Sequence, residues 1–511
     1  MFIHAWTPEG RRRGGGTVRT GTLLAAFLCL TASLPDRLPA QSLQRRLDRL
    51  LDAPGFDRHH WGVVVLDTTG RILFERNATR LFVPASNTKL LVAAAAAALL
   101  GPDLRVKTGV YAAGPVSDGV LQGDLVLYGR GDPTWSRRCF AADTTREGAC
   151  ERDPMRPLRD LAAQIRGRGI RTITGQVVGD GSWFEPVLVH RTWEQGDLLW
   201  WYAAPVSALA FNDNSLDVGW GPGDEVGAPG RVSITPDFGE VMLENRTRTV
   251  GPDSGFALDV GGDHGGLRLW AAGRMPLGRS DRTSYVAIPD PNWYAARALR
   301  AALTEARIAV LGGTASTTDS LRYAAARASA PLAEIESRPI REWLVPILGP
   351  SQNLFAEMLL KQIGRRVAGE GSWAKGIEAE RRFLIDSVGL DSTQVAPQDG
   401  SGLSHVNVAS PLAFAKLLLW MRRRPGFQVF ADALPLAGRS GTIRTRMTAT
   451  PVEGRVFAKT GAIFRANALS GYVTLPDGGT RIFSILANNH DLGGAGMNPQ
   501  IDSLVVEIGR R

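Results

Sequence analysis

The sequence predicts an α+β fold in which an antiparallel sheet with flanking helices is interrupted by a β-rich insertion. Strand-like segments beside apolar, helix-like runs occur near both ends of the chain, before residue 107 and after residue 318. Between them, glycine, proline and short alternating segments typical of strands dominate 108–317. The chain has 511 residues, too many for one ordinary core, so we expect more than one domain.

The first forty residues have the features of a secretory signal peptide. Arginines supply a positive region at 11–19, an apolar stretch follows at 23–34, and cleavage is expected after Ala40. The apolar stretch is short for a membrane span, although a retained anchor stays an alternative. The protein is therefore expected to be exported, as a secreted or periplasmic protein.

Removal of the signal leaves two cysteines, Cys139 and Cys150. In an oxidising compartment they either form a disulfide or remain two free thiols in a loop, and the sequence leaves both open.

Charge and motif content exclude several functions. The formal net charge is +9, which favours at most a loose association with an anionic wall or membrane surface. No basic run interleaved with aromatic residues indicates nucleic-acid binding. No His-Glu-x-x-His string or other ligand spacing predicts a metal site, and we expect no cofactor.

Residues 41–107 are expected to form the first part of the interrupted domain. An amphipathic helix is predicted at 42–51, followed by strands at 61–66 and 72–75 that form a hairpin at the edge of an antiparallel sheet. The run 89–100 is almost entirely Leu, Val and Ala, so it predicts a helix buried within the fold.

The insertion, 108–317, is expected to contain one or more β-rich domains with few helices. Strands are predicted at 125–128 and 172–178, and a helix at 292–306 is expected to lead back to the first domain.

Residues 318–511 complete the interrupted domain. Helices are predicted at 353–363 and 410–422, and adjacent strands at 468–474 and 480–488.

Three short strings predict the chemistry of the protein. Only six of the 59 basic residues are lysines, yet two of those six fall inside these strings. Because arginine is effectively always protonated, a site that needs an amine able to release its proton must use lysine. The strings therefore predict a serine acyl-transfer site with lysine as its base. They are Ser86-Asn87-Thr88-Lys89, Ser351-Gln352-Asn353 and Lys459-Thr460-Gly461.

The first string pairs the candidate nucleophile with the candidate base. Ser86 and Lys89 are three positions apart at a predicted helix start, so their side chains share one face. The helix dipole would stabilise an alkoxide on Ser86. A free lysine, with a pKa of about 10.4, is a poor base at neutral pH, so burial and a neighbouring cation, with Lys459 the candidate, must lower its pKa.

The other two strings supply a proton relay and an anion site. Ser351 can pass a proton to a leaving amine, while the Asn353 amide orients the lysine and the substrate. Lys459 and Thr460 can hold a substrate carboxylate, and Gly461 would let the substrate backbone approach closely. Each string alone also fits an ordinary helix start, N-cap or turn, but their conjunction in this order favours catalysis.

The chain resembles the low-molecular-mass class C penicillin-binding proteins, the D-alanyl-D-alanine carboxypeptidase/endopeptidase family. The three strings are the signature of penicillin-recognising serine enzymes, and the long spacing between the first two is similar to this class. The chain departs from the family at His405, Ser440 and Ala462, where arginine, aspartate and threonine are common. The other matching segments are 131–134, 179–184, 202–209 with Asn212 and Asn214, 399–404, 434–438 and 469–472.

The resemblance implies a transpeptidase/β-lactamase-like fold and a D,D-peptidase activity on peptidoglycan stem peptides. Ser86 would attack the carbonyl of the penultimate D-alanine, with Lys89 taking its proton and Ser351 and Asn353 completing the relay. The terminal carboxylate would bind at Lys459 and Thr460. β-Lactam antibiotics would acylate the same serine.

The family also implies an oxyanion hole and an insertion that overhangs the cleft. The backbone N–H groups of Ser86 and Ala462 would form the oxyanion hole. Trp183 and Glu185 would contact the side chain of the substrate's diamino acid, although internal packing of Trp183 and simple exposure of Glu185 are alternatives.

Another aromatic group, Trp193, Trp200 and Trp201, either stacks on glycan or packs in the core, and the sequence favours the core.

Two alternatives remain at the level of function. One is a related penicillin-recognising hydrolase, namely a β-lactamase, a D-amino-peptidase or an esterase, although the long insertion disfavours a compact β-lactamase. The other is a wall-binding scaffold that no longer catalyses, which the intact strings disfavour.

Overall fold

The structure is a computed structural model that describes residues 37–141, 150, 152–263 and 266–510. The predicted signal segment up to residue 36, including Cys29 within its apolar stretch, lies outside the described residues. The predicted cleavage point after Ala40 falls within the first described helix, Arg37–Leu51.

The strands are numbered in chain order. They are β1 (His60–Leu66), β2 (Ile72–Arg76), β3 (Lys107–Ala113), β4 (Val116–Ser117), β5 (Val120–Leu121), β6 (Asp124–Tyr128), β7 (Thr172–Ile173), β8 (Val177–Asp180), β9 (Ser215–Gly221), β10 (Arg231–Thr235), β11 (Met242–Val250), β12 (Ala257–Gly262), β13 (Arg268–Pro276), β14 (Arg282–Ala287), β15 (Ala309–Val310), β16 (Thr314–Thr317), β17 (Ala333–Glu336), β18 (Val395–Ala396), β19 (Val408–Ala409), β20 (Val456–Ile463), β21 (Ala466–Thr474) and β22 (Thr480–Asn488).

The α-helices are numbered in the same way. They are α1 (Arg37–Leu51), α2 (Thr88–Leu99), α3 (Arg156–Gly167), α4 (Pro291–Glu305), α5 (Ala324–Arg327), α6 (Ile340–Leu348), α7 (Asn353–Ala368), α8 (Trp373–Arg382), α9 (Pro411–Arg422), α10 (Phe427–Asp432) and α11 (Gly493–Ile508).

One antiparallel sheet joins the two ends of the chain. Its strand order is β2-β1-β22-β21-β20, so the predicted N-terminal hairpin pairs with the predicted C-terminal strands. Leu47 of α1 and Leu504 of α11 pack on one face. Leu91 of α2 and Phe414 of α9 pack on the other. A sheet covered on both faces needs nearly continuous apolar strands, which explains why β21 and β22 are buried over almost their whole length.

The elements predicted for both ends of the chain are confirmed. The helix expected at 89–100 is α2, and its residues from Thr88 to Ala96 are buried. The helices expected at 353–363 and 410–422 are α7 and α9, with α7 extending five residues further, to Ala368.

The chain between the two ends forms further sheets, the first of which also has five strands. Their strand orders are β16-β8-β6-β3-β17, β15-β7-β5-β4, β10-β9-β14 and β11-β13-β12.

For this middle region, one expectation was wrong and one helix was not predicted. The single strand expected at 172–178 is two strands, β7 and β8, which belong to different sheets and are separated around Gly175, where a side chain would meet the backbone of Gly123. The helix α3 was not predicted, although its buried Leu158, Leu161 and Ile165 have helical spacing.

A disulfide joins Cys139 to Cys150, the pairing that the sequence left open. Within the described part of the chain, no helix combines the length and the apolar character that a membrane crossing requires.

Candidate active site

Ser86 lies in a tight 3₁₀ turn, Ala85–Asn87, that leads directly into α2. Ala85 has a left-handed backbone, with φ of 48°, which is a strained conformation for a residue with a side chain. The Asn87 Nδ2 atom donates to Ser470 Oγ at 2.7 Å, and this bond ties the turn to β21. The turn therefore holds the Ser86 hydroxyl at the N-terminus of a buried helix.

Two glycines let other segments approach this turn. A Cβ at Gly461 would lie 2.5 Å from the Pro84 carbonyl oxygen, and one at Gly402 would lie 1.9 Å from the Ala85 carbonyl oxygen. Gly461 was expected to admit the substrate backbone. In the structure it admits the serine turn itself, so β20 can pack directly against it.

The Lys89 ammonium group is buried and has three partners. Its Nζ lies 2.9 Å from Ser86 Oγ, 2.6 Å from Asn353 Oδ1 and 2.7 Å from the Ser401 carbonyl oxygen. Amide and carbonyl oxygens can only accept hydrogen bonds. A neutral lysine would therefore direct its two protons at these two oxygens and its lone pair at the Ser86 hydroxyl.

Burial makes that neutral form accessible. Desolvation lowers the pKa of Lys89 to about 7, although the charges of Asp399 and Glu357 oppose the shift. Burial also lowers the pKa of Lys459 well below its usual value, and the charge of Lys89 lowers it further. Lys459 was expected to be the cation that lowers the pKa of Lys89, but burial has the dominant effect on both lysines.

The second and third strings meet at Lys459. Its Nζ donates to Ser351 Oγ and to the Thr460 carbonyl oxygen, each at 2.8 Å. The hydroxyl groups of Thr460 and Thr442 are hydrogen-bonded to each other at 2.8 Å. Ser351, like Ala85, has a positive φ, 69°, so a second strained residue lies at the site.

Residues from the middle of the chain hold the second string in place. The Asn353 Nδ2 atom donates to the Tyr202 carbonyl oxygen at 2.7 Å, and Gln352 Nε2 donates to Asp213 Oδ2 at 2.9 Å. Both Gln352 and Asp213 are buried. Sequence reasoning gave neither Tyr202 nor Asp213 a role at the site. The signals were that Tyr202 belongs to a segment similar to the family and that Asp213 lies between Asn212 and Asn214, which also match it.

A loop at 399–404 presents the carbonyl that Lys89 contacts, and two buried carboxylates hold it. Glu357 accepts hydrogen bonds from the backbone N–H groups of Gly400 and Ser401, at 3.0 and 2.7 Å. Asp399 accepts from the N–H groups of Gly402 and Ser404, both at 2.7 Å. Burial, together with the charge of Asp399, raises the pKa of Glu357 to about 7.

A cleft of about 450 Å³ opens in front of these groups. Five of the predicted residues line it, while Lys89, Lys459 and Gly461 are buried. Residues that the sequence did not assign to the site complete the lining. The predicted residues in the lining are Ser86, Ser351, Asn353, Thr460 and Ala462, and the added ones include Glu194, Asp197, Trp201, Tyr202, His405 and Phe464.

Trp183 and Glu185 do not line the cleft, so the structure does not bring them to the substrate side. The Trp183 ring lies 4.2 Å from the Arg365 guanidinium carbon. Glu185 pairs with the buried Lys361 at 3.2 Å and accepts a hydrogen bond from the Trp373 backbone N–H at 2.8 Å. Both side chains are half-buried and engaged in packing, which was the alternative interpretation for Trp183.

The other aromatic group, unlike Trp183 and Glu185, is divided between the core and the cleft. Trp193 is buried and donates to Asp399 Oδ2 at 3.0 Å, whereas Trp201 lines the cleft.

Among the described residues, no group of three or more His, Cys, Asp or Glu side chains is arranged to hold a metal ion.

The fold and this grouping of two serines with two buried lysines define a penicillin-recognising serine enzyme. The model of the D-Ala-D-Ala carboxypeptidase 3 (S13) family matches residues 43–507, and the chain belongs to this family. It is therefore a hydrolase of the serine peptidase type, as the family resemblance implied.

Individual relatives agree with this assignment over most of the chain. A D-alanyl-D-alanine carboxypeptidase of Actinomadura sp. (strain R39) is 32% identical over 501 residues, which cover 94% of this chain and 88% of the relative. Carboxypeptidase DacB of Mycolicibacterium smegmatis is 27% identical over 427 residues, covering 82% of this chain and 74% of the relative.

A solved structure confirms the fold. Penicillin binding protein 4 from Haemophilus influenzae superposes with a TM-score of 0.76 at 21% identity, covering 91% of this chain and 99% of that one.

Proposed function

We propose that this protein is an exported D,D-peptidase that cleaves D-Ala-D-Ala termini and cross-links of peptidoglycan stem peptides through an acyl-enzyme on Ser86. The observation that carries the proposal is the position of Lys89 Nζ, 2.9 Å from Ser86 Oγ, with two oxygen acceptors for its protons. A neutral lysine in this position can act only as an acceptor toward the serine.

Acylation then follows in two steps. Ser86 Oγ attacks the carbonyl carbon of the penultimate D-alanine while its proton passes to Lys89. The C–N bond breaks as the leaving amine receives a proton through Ser351, whose hydroxyl lies 2.8 Å from Lys459. Asn353 keeps Lys89 in position, and water later hydrolyses the ester and restores the serine.

Binding energy comes from the opposite side of the cleft. Lys459 and Thr460 hold the terminal carboxylate, supported by the hydrogen bond from Thr460 to Thr442. The backbone N–H groups of Ser86 and Ala462 form the oxyanion hole, where loss of one donor typically raises the barrier by about 3 kcal/mol.

Glu194 and Asp197, rather than Trp183 and Glu185, are the candidates for binding the side-chain amine of the diamino acid. Both acidic residues line the cleft, together with Trp201 and Tyr202. Asp197 accepts a hydrogen bond from the Tyr202 hydroxyl at 3.0 Å, which keeps its carboxylate in place.

Export through the N-terminal signal would deliver the enzyme to its substrate outside the cytoplasm. The expected partners are stem peptides and, as covalent inhibitors, β-lactam antibiotics, with no role for nucleic acid or a cofactor.

Labelled penicillin and purified muropeptides test the proposal together. Wild-type protein should form a stable penicillin adduct and convert stem peptides, as seen by mass spectrometry, whereas Ser86→Ala should do neither. Rapid release of the penicillin product would favour a β-lactamase. A wild-type protein that neither binds penicillin nor converts muropeptides would favour the scaffold and refute the proposal.

A further inference from the structure

A separate pocket opens at the C-terminal end of α2, the helix whose first turn carries Lys89. Its volume is about 250 Å³, and it lies between α2, α6, α9 and α10. Ala98, at its rim, is nine residues beyond Lys89, or about 13 Å along the helix. Among the described residues, none lines both this pocket and the catalytic cleft. The mechanism described above therefore uses no part of it.

The floor of the pocket is part of the hydrophobic core. Leu344 of α6, Met421 of α9 and Phe430 of α10 line it, and all three are buried. At the rim, α2 contributes only the small side chains of Ala97 and Ala98, which are too short to close the opening. An apolar cavity of about 150 Å³ is large enough to bind benzene, so a pocket of this size has room for a hydrocarbon chain of about ten carbons.

The pocket has one charged side chain among its described lining residues, that of Arg424. The guanidinium carbon of Arg424 lies 3.9 Å from the centroid of the Trp420 ring. Trp420 Nε1 donates to the Ser387 carbonyl oxygen at 2.9 Å, which fixes the ring in place. Because stacking uses the flat face of a guanidinium group, the N–H groups around its edge stay available for a ligand.

Arg424 has no counter-ion within the part of the chain that the structure describes, where its side chain forms neither an ion pair nor a hydrogen bond. The charged residues nearby are already engaged. Asp103 and Arg341, each next in sequence to a lining residue, pair with each other. Asp432 of α10 does not line the pocket and accepts a hydrogen bond from Gln428 Nε2 at 2.6 Å. The apolar pocket therefore has an uncompensated positive charge at its mouth.

We propose that this pocket binds a single-chain anionic amphiphile, a fatty carboxylate, with its chain on the apolar floor and its head group on Arg424. A guanidinium group matches a carboxylate through two parallel hydrogen bonds. The chain removes apolar surface from water, as the floor residues require of any occupant. Binding needs no covalent step, and the site is independent of the peptidase chemistry.

The first test varies the ligand on the wild-type protein by isothermal titration calorimetry. Across a series from hexanoate to dodecanoate, we expect the affinity to rise about fourfold for each methylene and to level off at about ten carbons, where the pocket is full. At a fixed length of ten carbons, decanoate should bind about tenfold more tightly than decanol, and decylamine should bind most weakly.

The second test varies the head-group contact. In Arg424→Glu, the order of the three ten-carbon ligands should reverse, so that decylamine binds most tightly. Arg423→Glu is the matched control, because Arg423 is the preceding residue, does not line the pocket and donates to the Thr69 carbonyl oxygen at 2.8 Å. This control should keep the wild-type order.

The third test fills the pocket. Ala98→Phe should weaken decanoate binding about tenfold, because the ring occupies the space of the chain. Leu99→Phe is its control, since Leu99 is the next residue of α2, is 37% exposed and does not line the pocket. Decanoate affinity should stay within about twofold of wild type in this control.

The rate of penicillin acylation, measured on the same samples, should equal the wild-type rate in all four variants and shows that they are folded. A wild type that binds none of the ligands, or that binds decanol as tightly as decanoate, overturns the inference. The second outcome would assign the pocket to an uncharged apolar group, such as a side chain of a partner protein. An affinity that keeps rising beyond ten carbons, or a ligand order that Arg424→Glu leaves unchanged, overturns it as well. The comparison of head groups in the wild type needs no variant, so it decides the inference even where a substitution disturbs folding.

Discussion

At the scale of single residues, the chemistry depends on keeping the Lys89 amine out of water. The shift of its pKa to about 7 comes mainly from desolvation. A base acts only when deprotonated, so its activity should appear as the pH rises through this value.

We therefore predict that the second-order rate of penicillin acylation rises with pH and levels off above an apparent pKa of about 7. Stopped-flow measurements with a fluorescent penicillin between pH 5.5 and 9 would record this dependence of the acylation rate on pH. A rate that is constant, or that falls, across this range would exclude Lys89 as the base. The Ser86→Ala variant, which lacks the nucleophile, gives the background signal without acylation.

Glu357 acts on Lys89 without contacting it directly. It fixes the backbone whose Ser401 carbonyl contacts Lys89 Nζ at 2.7 Å, and its charge raises the pKa of Lys89. A Glu357→Gln variant removes that charge and places an NH₂ group among backbone donors. We expect acylation to slow by about tenfold, and the apparent pKa of the acylation profile to fall because the opposing charge is gone.

A matched control for this variant is Glu378→Gln, in the neighbouring α8. Glu378 is exposed and pairs with Lys375 and Arg382 on the surface. A Glu357→Gln variant whose pH profile keeps the wild-type midpoint would leave Glu357 a purely structural residue.

Glu380 is a buried carboxyl group to which the mechanism assigns no role. Neither of its carboxyl oxygens has a hydrogen-bond partner among the described residues, and burial raises its pKa well above 4.5. The folded protein therefore binds more protons than the unfolded chain above pH 4.5. Stability is consequently lost as the pH rises toward the folded-state pKa. We predict that Glu380→Met stabilises the protein by about 1–3 kcal/mol at pH 8 and by less at pH 5.

Urea unfolding of both proteins at the two pH values would measure this difference. A Glu380→Met variant that is less stable than wild type at pH 8 would contradict the prediction.

At the scale of elements, the middle region of the chain supports the catalytic strings directly. The short turn Asn212–Asn214 has three consecutive residues with positive φ, and its Asp213 accepts hydrogen bonds from Gln352 Nε2 at 2.9 Å and from Ser136 Oγ at 2.5 Å. Gln352 lies between Ser351 and Asn353, so this turn fixes the backbone that carries both relay residues.

We predict that Asp213→Asn slows acylation about tenfold while the protein stays folded, because asparagine tolerates a positive φ but accepts fewer hydrogen bonds. Asp217→Asn is the control, since Asp217 pairs with the neighbouring Arg137 but contacts neither relay residue. Acylation rates and thermal unfolding curves would be measured for both. Equal rates in the two variants would show that the turn does not position Gln352.

The sequence predicted the catalytic sheet better than the middle region, for a physical reason. β21, β22 and α2 bury nearly all their residues, so their apolar patterns are strong and unambiguous. By contrast, β7 has two residues and β8 has four, and their separation into different sheets depends on contacts with Gly123 that no local pattern contains.

The candidate site shows the same contrast between residues that local patterns predict and residues that depend on distant contacts. Each of the three strings is a short local pattern of residue types at fixed spacing, so Ser86, Lys89 and Lys459 could be selected from sequence alone. Tyr202 holds Asn353 through its backbone carbonyl, and a carbonyl leaves no signature in the residue type. Trp183 and Glu185 were selected because of the family resemblance alone, and they lie outside the cleft.

At the scale of the whole molecule, the middle region and the two ends act as one catalytic unit. Tyr202 and Asp213 hold the relay string, and Trp193 donates to Asp399 in the loop that faces Lys89. The proposed boundaries, with an insertion at 108–317, remain a prediction. The contacts imply that this insertion could not be removed without loss of the relay geometry.

The net charge of the molecule leads to the last prediction. The formal charge is +9, of which +6 remains after the expected removal of residues 1–40, and it favours attraction to an anionic cell wall, an interaction distinct from recognition in the cleft. Raising the salt concentration from about 0.1 M to about 1 M shortens the Debye length from about 10 Å to about 3 Å, which screens surface charges but barely affects buried groups. We predict that Ser86→Ala protein co-sediments with isolated wall material at the lower salt concentration and is largely released at the higher one. Wild-type protein whose Ser86 is already acylated by penicillin should co-sediment and be released at the same salt concentrations as Ser86→Ala, because the attraction does not involve the cleft. Binding that resists salt but disappears on acylation would instead assign wall attachment to the cleft alone.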